Sequence, residues 1–202
     1  LKMDKFKNTK KIISDNFNQN INFYNNDKYL GLNVNKSELC SIIKFLKDNE
    51  HLLFDQLIDI TAVDYPSREL RFDIIYILIS LTLNQRIILK SPVNENDNLD
   101  TVSHIFRSAN WYERECYDLF GIKFLNHPDL RRIMTDYNFE GHPLRKDFPL
   151  TGHNEVSYSE KEKKVVYEKV KLSQEYRNFD YSSPWEGLEN KLIGDEKAKK
   201  EN

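Results

Sequence analysis

Cysteine is nearly absent from this 202-residue chain, which carries only Cys40 and Cys116. The two stand far apart, form no CxxC pair and have no Cys/His spacing suited to zinc or an iron–sulfur cluster. They read as buried thiols in a reducing compartment. Long apolar runs are missing too. The longest, Ile74 to Leu83 (IIYILISLTL), is too short for a membrane span and reads as a buried strand. Neither sign of charge is in excess: 30 Lys+Arg against 32 Asp+Glu give a net charge of −2. That balance excludes a nucleic-acid binder of the usual basic kind and a simple polybasic membrane anchor. Glycine and proline number six each, with no Gly/Ser linker and no Gly-rich turn opening a helix, so a dinucleotide-binding fold is not expected. Alanine occurs only at Ala62, Ala109 and Ala198. No folding rule asks for its replacement by Asn, since Ala is the best helix former. A gene under A+T pressure is the simplest account.

What is present is aromatic and charged. Phe, Trp and Tyr make up 12% and charged residues 31%, in a length that suits one domain or one domain with an appendage. A chain of this size buries roughly 70% of its unfolded surface and needs no staple. The N-terminus, LKMDKFKNTKK, is basic but lacks arginine and a following apolar core, so it reads as neither a secretory signal nor a good transit peptide. Its first residue is Leu, which implies processing or an unusual start codon.

The first two-thirds of the chain are patterned. Lys28 to Val34 can form a short strand. Ser37 is placed to cap a helix in which Leu39, Ile42, Ile43 and Leu46 recur at i, i+3, i+4 and i+7. Gln56 to Val63 reads as a strand closed by the turn Asp64-Tyr65-Pro66-Ser67. Leu70, Phe72, Ile74 and Tyr76 alternate with Arg71 and Asp73, as in a half-buried strand, and a turn at Asn84-Gln85 returns the chain through Arg86 to Lys90 as an antiparallel hairpin. A polar loop, SPVNENDN, follows. Val102, Ile105, Phe106 and Ala109 then mark a helical face, with Asp100 or Thr101 as cap. The sum is an α+β fold: a two-layer domain with helices packed on a mostly antiparallel or mixed sheet.

From Asn110 to Gly152 the sequence is dense in chemistry. A helix over Trp111 to Leu119 puts Tyr112, Cys116, Leu119 and Phe120 on one face and crowds Glu113, Arg114, Glu115 and Asp118 on the others, with Arg114 and Asp118 paired at i, i+4. Gly121 suits the helix stop. Three acids beside an arginine can serve acid–base chemistry if burial splits their pKa values, or can form an ion-pair network at a helix end or subunit contact. The steps His127-Pro128 and His142-Pro143, flanking Arg131-Arg132, suit rigid turns better than metal ligation, because proline pushes the preceding residue toward extended backbone.

These residues carry a resemblance. Glu113-Arg114-Glu115, Tyr117-Asp118-Leu119-Phe120-Gly121-Ile122, and the run Asn126-His127-Pro128-Asp129-Leu130-Arg131-Arg132-Ile133-Met134 closely resemble the signature of the respiratory complex I 30 kDa subunit family. Its members are the mitochondrial NADH dehydrogenase subunit 9 and the counterpart of that subunit in the bacterial NADH-quinone oxidoreductase. The match continues through Thr135-Asp136-Tyr137 and through Phe139-Glu140-Gly141-His142-Pro143-Leu144-Arg145-Lys146-Asp147-Phe148-Pro149-Leu150. Upstream it takes in Leu57 to Pro66, and downstream Tyr176, Arg177, Phe179 and the Ser183-Pro184-Trp185-Glu186 tail.

The resemblance implies a cofactor-free subunit of the quinone-reducing module in the peripheral arm, packed beside the 49 kDa and iron–sulfur subunits. FMN, iron–sulfur clusters and ubiquinone would belong to other subunits of this NADH-oxidising, proton-pumping enzyme. It implies no nucleic acid and no membrane span. It places the chain on the matrix side of the mitochondrial inner membrane, where an organelle gene would explain the Ala-poor composition and the Leu start, or on the cytoplasmic side of a bacterial inner membrane. Three parts follow: an N-terminal extension (1–20), the α+β domain (21–150), and an aperiodic, aromatic-studded C-terminal arm (151–202) read as docking on a neighbouring subunit. Glu113, Arg114, Glu115, Asp118, Phe120, Gly121, His127, Pro128, Arg131, Arg132, His142, Pro143, Arg145, Lys146, Asp147, Tyr176, Arg177, Phe179 and Trp185 are the candidate signature and interface residues. The competing roles are proton handling near quinone by Glu115, Asp118 or His142, and a free-standing hydrolase or binding module.

Overall fold

The computed structural model describes residues 5–17, 21–25 and 28–174. It divides after Gly152 into two units. The first holds three helices packed on a five-stranded mixed sheet. Its elements are α1 (Lys7–Asn16), β1 (Asn22–Asn25), β2 (Leu30–Asn33), α2 (Leu39–Asp48), β3 (Gln56–Asp64), β4 (Phe72–Ser80), β5 (Gln85–Val93), β6 (Asn98–Asp100), α3 (Ala109–Phe120) and β7 (Lys123–Leu125). The sheet order is β1-β2-β5-β4-β3, and β6 and β7 form a separate parallel pair. All pairings in the main sheet are antiparallel except β2 with β5.

Period-2 patterning sets the register of the central hairpin. On β4, Ile74, Tyr76 and Leu78 are buried and sit opposite Ser91, Leu89 and Ile87 of β5, while Ile75 and Ile77 between them are only half buried. Helix α2 supplies Leu39, Ile42, Ile43 and Leu46 to this core, all essentially inaccessible. Each such side chain contributes about 1.5–3 kcal/mol on burial. At the other edge Tyr24 of β1 lies opposite Gly31 of β2, and a Cβ on Gly31 would overlap the Tyr24 ring. Only glycine admits that aromatic cover.

Several local expectations are corrected. Ser37 does not cap α2: the helix starts after Glu38 without a side-chain cap, and Ser37 lies in the preceding turn. Residues 102–108 form successive turns rather than a helix, although Val102, Phe106 and Ala109 are buried as their spacing suggests. One helical bond forms there, Phe106 N–H to the Val102 carbonyl, but the chain goes on through a tighter i→i+3 turn, Ala109 N–H to the Phe106 carbonyl, while the Thr101 hydroxyl and Val102 N–H meet the Glu113 carboxyl. Ser91 to Val93 extend β5 rather than open the polar loop. Asp73, expected on a solvated face, is buried beside Arg68 and Lys90. Helix α1, in a stretch without legible pattern, buries Phe6, Thr9 and Ile13 and is tied to β5 by the Thr9 hydroxyl donating to Gln85 Oε1 at 2.7 Å.

The second unit contains an antiparallel hairpin, β8 (Asn154–Ser159) with β9 (Lys164–Lys169), in the stretch read as aperiodic. Val156 pairs with Tyr167 and Tyr158 with Val165, so four apolar side chains share one face of the hairpin, and all are exposed.

Candidate functional site

Helix α3 positions the site. It ends at Gly121, which adopts the left-handed conformation (φ 79°) and donates its N–H to the Tyr117 carbonyl. The charged residues expected on the solvated faces of this helix are largely inside: Glu113 and Asp118 have no accessible surface and Arg114 only 7%. The anticipated Arg114–Asp118 pair does not form. Arg114 instead donates to the carbonyls of Arg131 (3.1 Å) and Arg132 (3.3 Å), and its guanidinium stacks on the exposed Trp111 ring.

Asp118 organises the chain that follows. Its Oδ2 accepts three successive backbone N–H groups, from Ile133 (2.9 Å), Met134 (2.7 Å) and Thr135 (2.9 Å). Its Oδ1 accepts the Thr135 hydroxyl at 2.6 Å and the Arg132 guanidinium at 2.9 Å. Burial alone would raise its pKa, but the Thr135 hydroxyl and the three N–H groups outweigh that and hold the carboxyl well below the usual range. Arg132 also reaches the Gly141 carbonyl at 3.0 Å. His142 Nδ1 donates to the Asp118 carbonyl at 2.9 Å. Burial first, then the Arg145 and Arg132 charges, lowers the His142 pKa against the pull of that hydrogen bond.

A second buried carboxylate anchors the next stretch. Asp64, at the end of β3, takes a two-pronged contact from Arg71 (2.7 and 2.9 Å) and the backbone N–H of Lys146 at 2.8 Å. The Arg71 hydrogen bonds, helped by Lys146 against the effect of burial, lower its pKa. Arg71 also holds Asp147 at 2.9 Å and Glu95 at 3.3 Å. Arg145 pairs with Glu95 and donates Nε–H to the Phe120 carbonyl at 2.6 Å. Residues 126–150 contain no helix or strand, yet their path is fixed by these two carboxylates, by turns such as Arg145 N–H to the His142 carbonyl, and by Phe139 against Phe148.

Glu113 stands apart from both anchors. Its Oε1 accepts the Val102 N–H at 2.7 Å and its Oε2 lies 2.5 Å from the Thr101 hydroxyl. Burial raises its pKa to about 7 although both hydrogen bonds oppose the shift. His127 Nε2 lies 3.8 Å from it and donates to the Asn110 carbonyl at 3.1 Å, while His127 Nδ1 accepts the Asp129 N–H. Nearby is an open cleft lined by Ser103, His104, Arg107, Asn110, Trp111, Asn126 and Pro128.

Of the candidate residues, the structure brings Arg114, Asp118, Arg131, Arg132 and His142 together around the end of α3, where Phe120 offers its carbonyl and Gly121 admits the His142 and Arg145 side chains. Arg145, Lys146 and Asp147 gather at Asp64. Glu115 is half buried and its side chain makes no hydrogen bond or ion pair with described residues; Pro128 is exposed and Pro143 half buried. Arg131 pairs with Asp129 on the surface. Tyr176, Arg177, Phe179 and Trp185 lie outside the described residues. The anchoring roles of Thr101, Thr135, Arg71, Glu95 and Asp64 are not visible in the sequence. There Asp64 reads as a turn residue, Thr101 as a helix cap and Arg71 as a solvated strand position, and nothing local marks Thr135 or Glu95 as an anchor. Cys40 and Cys116 are free thiols, Cys116 buried with its Sγ 3.2 Å from the Ile60 carbonyl. Among the described residues no group of three His, Cys, Asp or Glu could hold a metal ion, and no helix is long and apolar enough to cross a membrane.

Asp118 and Asp64 thus each gather backbone and side-chain donors from the stretch that follows α3, and this stretch lies within what the chain shares with known proteins. The NADH-quinone oxidoreductase subunit designated C of Ruegeria sp. (strain TM1040) is 54% identical over 168 residues, covering 83% of this chain and 84% of the relative. The protein of the same name from Parvibaculum lavamentivorans is 57% identical over 160 residues, covering 79% and 80%. A chain in the structure of the membrane-bound sulfane sulfur reductase, an archaeal respiratory membrane complex, superposes with a TM-score of 0.60 at 25% identity, covering 70% of this chain and 84% of that one. Residues 32–154, which contain β3, α3 and both carboxylate anchors, match the family described as respiratory-chain NADH dehydrogenase, 30 Kd subunit, and the chain belongs to that family.

Proposed function

We propose that the chain is a cofactor-free structural subunit of the quinone-reducing module in the peripheral arm of an NADH:quinone oxidoreductase, packed beside the 49 kDa and iron–sulfur subunits. It would support electron transfer from NADH to quinone, and the proton translocation coupled to it, by fixing the geometry of that module. FMN, clusters and quinone would reside in the neighbours.

One observation carries this reading. The 126–150 segment is locked from beneath by Asp118 and Asp64 while it holds large apolar side chains outward: Met134, Tyr137, Leu144 and Leu150 are all at least half exposed, and Tyr137 is 96% exposed. A rigid irregular segment with apolar outward side chains is built to meet another protein, because a backbone already held in place has little further entropy to lose on docking. The exposed apolar face of the 154–169 hairpin supports the same role for the C-terminal arm, since a lone two-stranded hairpin is marginal in water.

The complex would sit on the cytoplasmic side of a bacterial inner membrane or the matrix side of the mitochondrial one. The two NADH-quinone oxidoreductase subunits named above are bacterial and favour the first; composition is the argument for the second. Native electrophoresis of solubilised membranes tests the subunit role. The chain should migrate with the NADH-oxidising band, and Tyr137→Asp combined with Leu150→Asp should release a folded chain from it. A wild-type chain migrating at its own mass beside an intact NADH-oxidising band would overturn the reading.

A further inference from the structure

We propose that Glu113 is a proton-holding site, connected to the open cleft beside α3 by a relay of two hydroxyls, Thr101 and Ser103. The geometry is a chain of oxygens leading outward. Glu113 Oε2 lies 2.5 Å from Thr101 Oγ1, which lies 2.8 Å from Ser103 Oγ. Glu113 has no accessible surface and Thr101 is 4% exposed, whereas Ser103 is half buried and lines the cleft.

Proton counting shows that this chain has two complete states. A hydroxyl carries one proton and two lone pairs. Thr101 Oγ1 accepts the Ser103 N–H at 3.1 Å, so it has one acceptor site and one proton left for its two oxygen neighbours. With Glu113 protonated, the carboxyl donates to Thr101 and Thr101 donates to Ser103. With Glu113 ionised, Ser103 donates to Thr101 and Thr101 donates to the carboxylate. In both states Glu113 Oε1 keeps the Val102 N–H. Loss of the proton is therefore a concerted reversal. The carboxyl proton passes to Thr101, the Thr101 proton passes to Ser103, and the Ser103 proton leaves to water at the cleft.

The surroundings leave the carboxyl poised. Among the described residues His127 is the basic group within ion-pair distance, at 3.8 Å, and its ring is turned to the Asn110 carbonyl and the Asp129 N–H. From β4 comes Tyr76, whose buried hydroxyl has no hydrogen-bond partner among the described residues, and whose pKa burial raises. From α2 comes Cys40, and from α3 itself Cys116, both thiols pushed up by burial; Asp100 adds a like charge near Cys40. Apart from His127 these groups are neutral or negative, so the ionised carboxylate is compensated mainly by its two hydrogen bonds. The same burial brings Glu113 to about 7, where a modest change in pH moves the proton.

The test is a pH-jump infrared measurement on the full-length chain. On the acid side of neutrality wild type should show a carboxylic C=O band that Glu113→Gln lacks, and the band should vanish on the alkaline side. Ser103→Ala, which touches no atom of Glu113, should keep the band's midpoint but slow its appearance after a jump by on the order of 10²-fold. Thr101→Val should slow it as well, and Thr101→Ser should restore the wild-type rate. Absence of the band in folded wild type overturns the holding site. An unchanged rate in Ser103→Ala overturns the relay.

Discussion

Asp118 takes the guanidinium of Arg132, fourteen positions along the chain, and not that of Arg114 one helical turn back. The choice determines what the motif does. A local i, i+4 pair would stabilise α3 by only about 0.2–0.5 kcal/mol. Turned outward to three N–H groups and a guanidinium, the same carboxylate fixes a stretch that has no secondary structure of its own. Arg114, released from Asp118, secures the carbonyl side of that stretch at Arg131 and Arg132.

Asp118→Asn should therefore loosen residues 131–136 more than the helix that bears it. It keeps the shape of the side chain but loses the charge and part of the acceptor set. Removing one partner of such a buried, charge-assisted network costs on the order of 3 kcal/mol. Amide hydrogen exchange at Ile133, Met134 and Thr135 should accelerate while the β4–β5 hairpin keeps its protection. The pH sign follows from the lowered pKa. The Asp118 contribution is present above the ordinary Asp value, near 4, and is lost as pH falls from there through the lowered folded value. The Asn variant should lack that loss on acidification.

Glu113 has the opposite sign. Its folded pKa, about 7, lies above the ordinary value, so its favourable state is fully present below about 4.5 and is lost as pH rises through 7. In urea titrations wild type should lose up to about 1.4 kcal/mol per pH unit across this window from this group alone. Glu113→Gln, which keeps an acceptor for Val102, should flatten that slope. A slope equal to wild type in the Gln variant would show that Glu113 does not titrate there.

The different fates of these residues explain how much of the site the sequence disclosed. The core was legible because Leu39, Ile42, Ile43 and Leu46 of α2 and the alternation of β4 are periodic, and periodicity survives in one dimension. The stop at Gly121 was legible because a left-handed helix end prefers glycine. The partners of Asp118 and Asp64 were not. Backbone N–H groups carry no residue identity, and the Lys146 N–H that Asp64 accepts lies 82 positions away. The 102–109 region misled for a related reason: its spacing of Val102, Phe106 and Ala109 is genuine burial, but the backbone there closes turns such as Ala109 N–H to the Phe106 carbonyl, which carry no residue identity.

Gly121→Ala should be disruptive out of proportion to one methyl group. The left-handed conformation costs a non-glycine residue about 1–2 kcal/mol. In addition, the new Cβ would run into Arg145 Nη2 and would stand 2.6 Å from His142 Nε2. Neither side chain moves freely, since Arg145 is tied to Phe120 and Glu95 and His142 to the Asp118 carbonyl. A loss of more than about 2 kcal/mol in chemical denaturation is expected, together with faster exchange at the Leu144 N–H, which bonds the Leu119 carbonyl.

The two carboxylate anchors should prove separable. Asp64→Asn should free the stretch around Lys146 and Asp147 and leave Ile133 to Thr135 protected, the converse of Asp118→Asn. Limited proteolysis should cut the first variant near 145–150 and the second near 131–136. The anchors share a link through Arg145 and His142, because Arg145 joins the Asp64 cluster at Glu95 and bonds Phe120 in the same helix end that holds Asp118. The double variant should therefore lose less than the sum of the single losses, by about 0.5–1 kcal/mol, once one anchor has already released the shared turn. Strict additivity in denaturant titrations would mean that residues 126–150 are two independently held pieces. A shortfall from additivity means that they form one surface, which is what a docking segment requires.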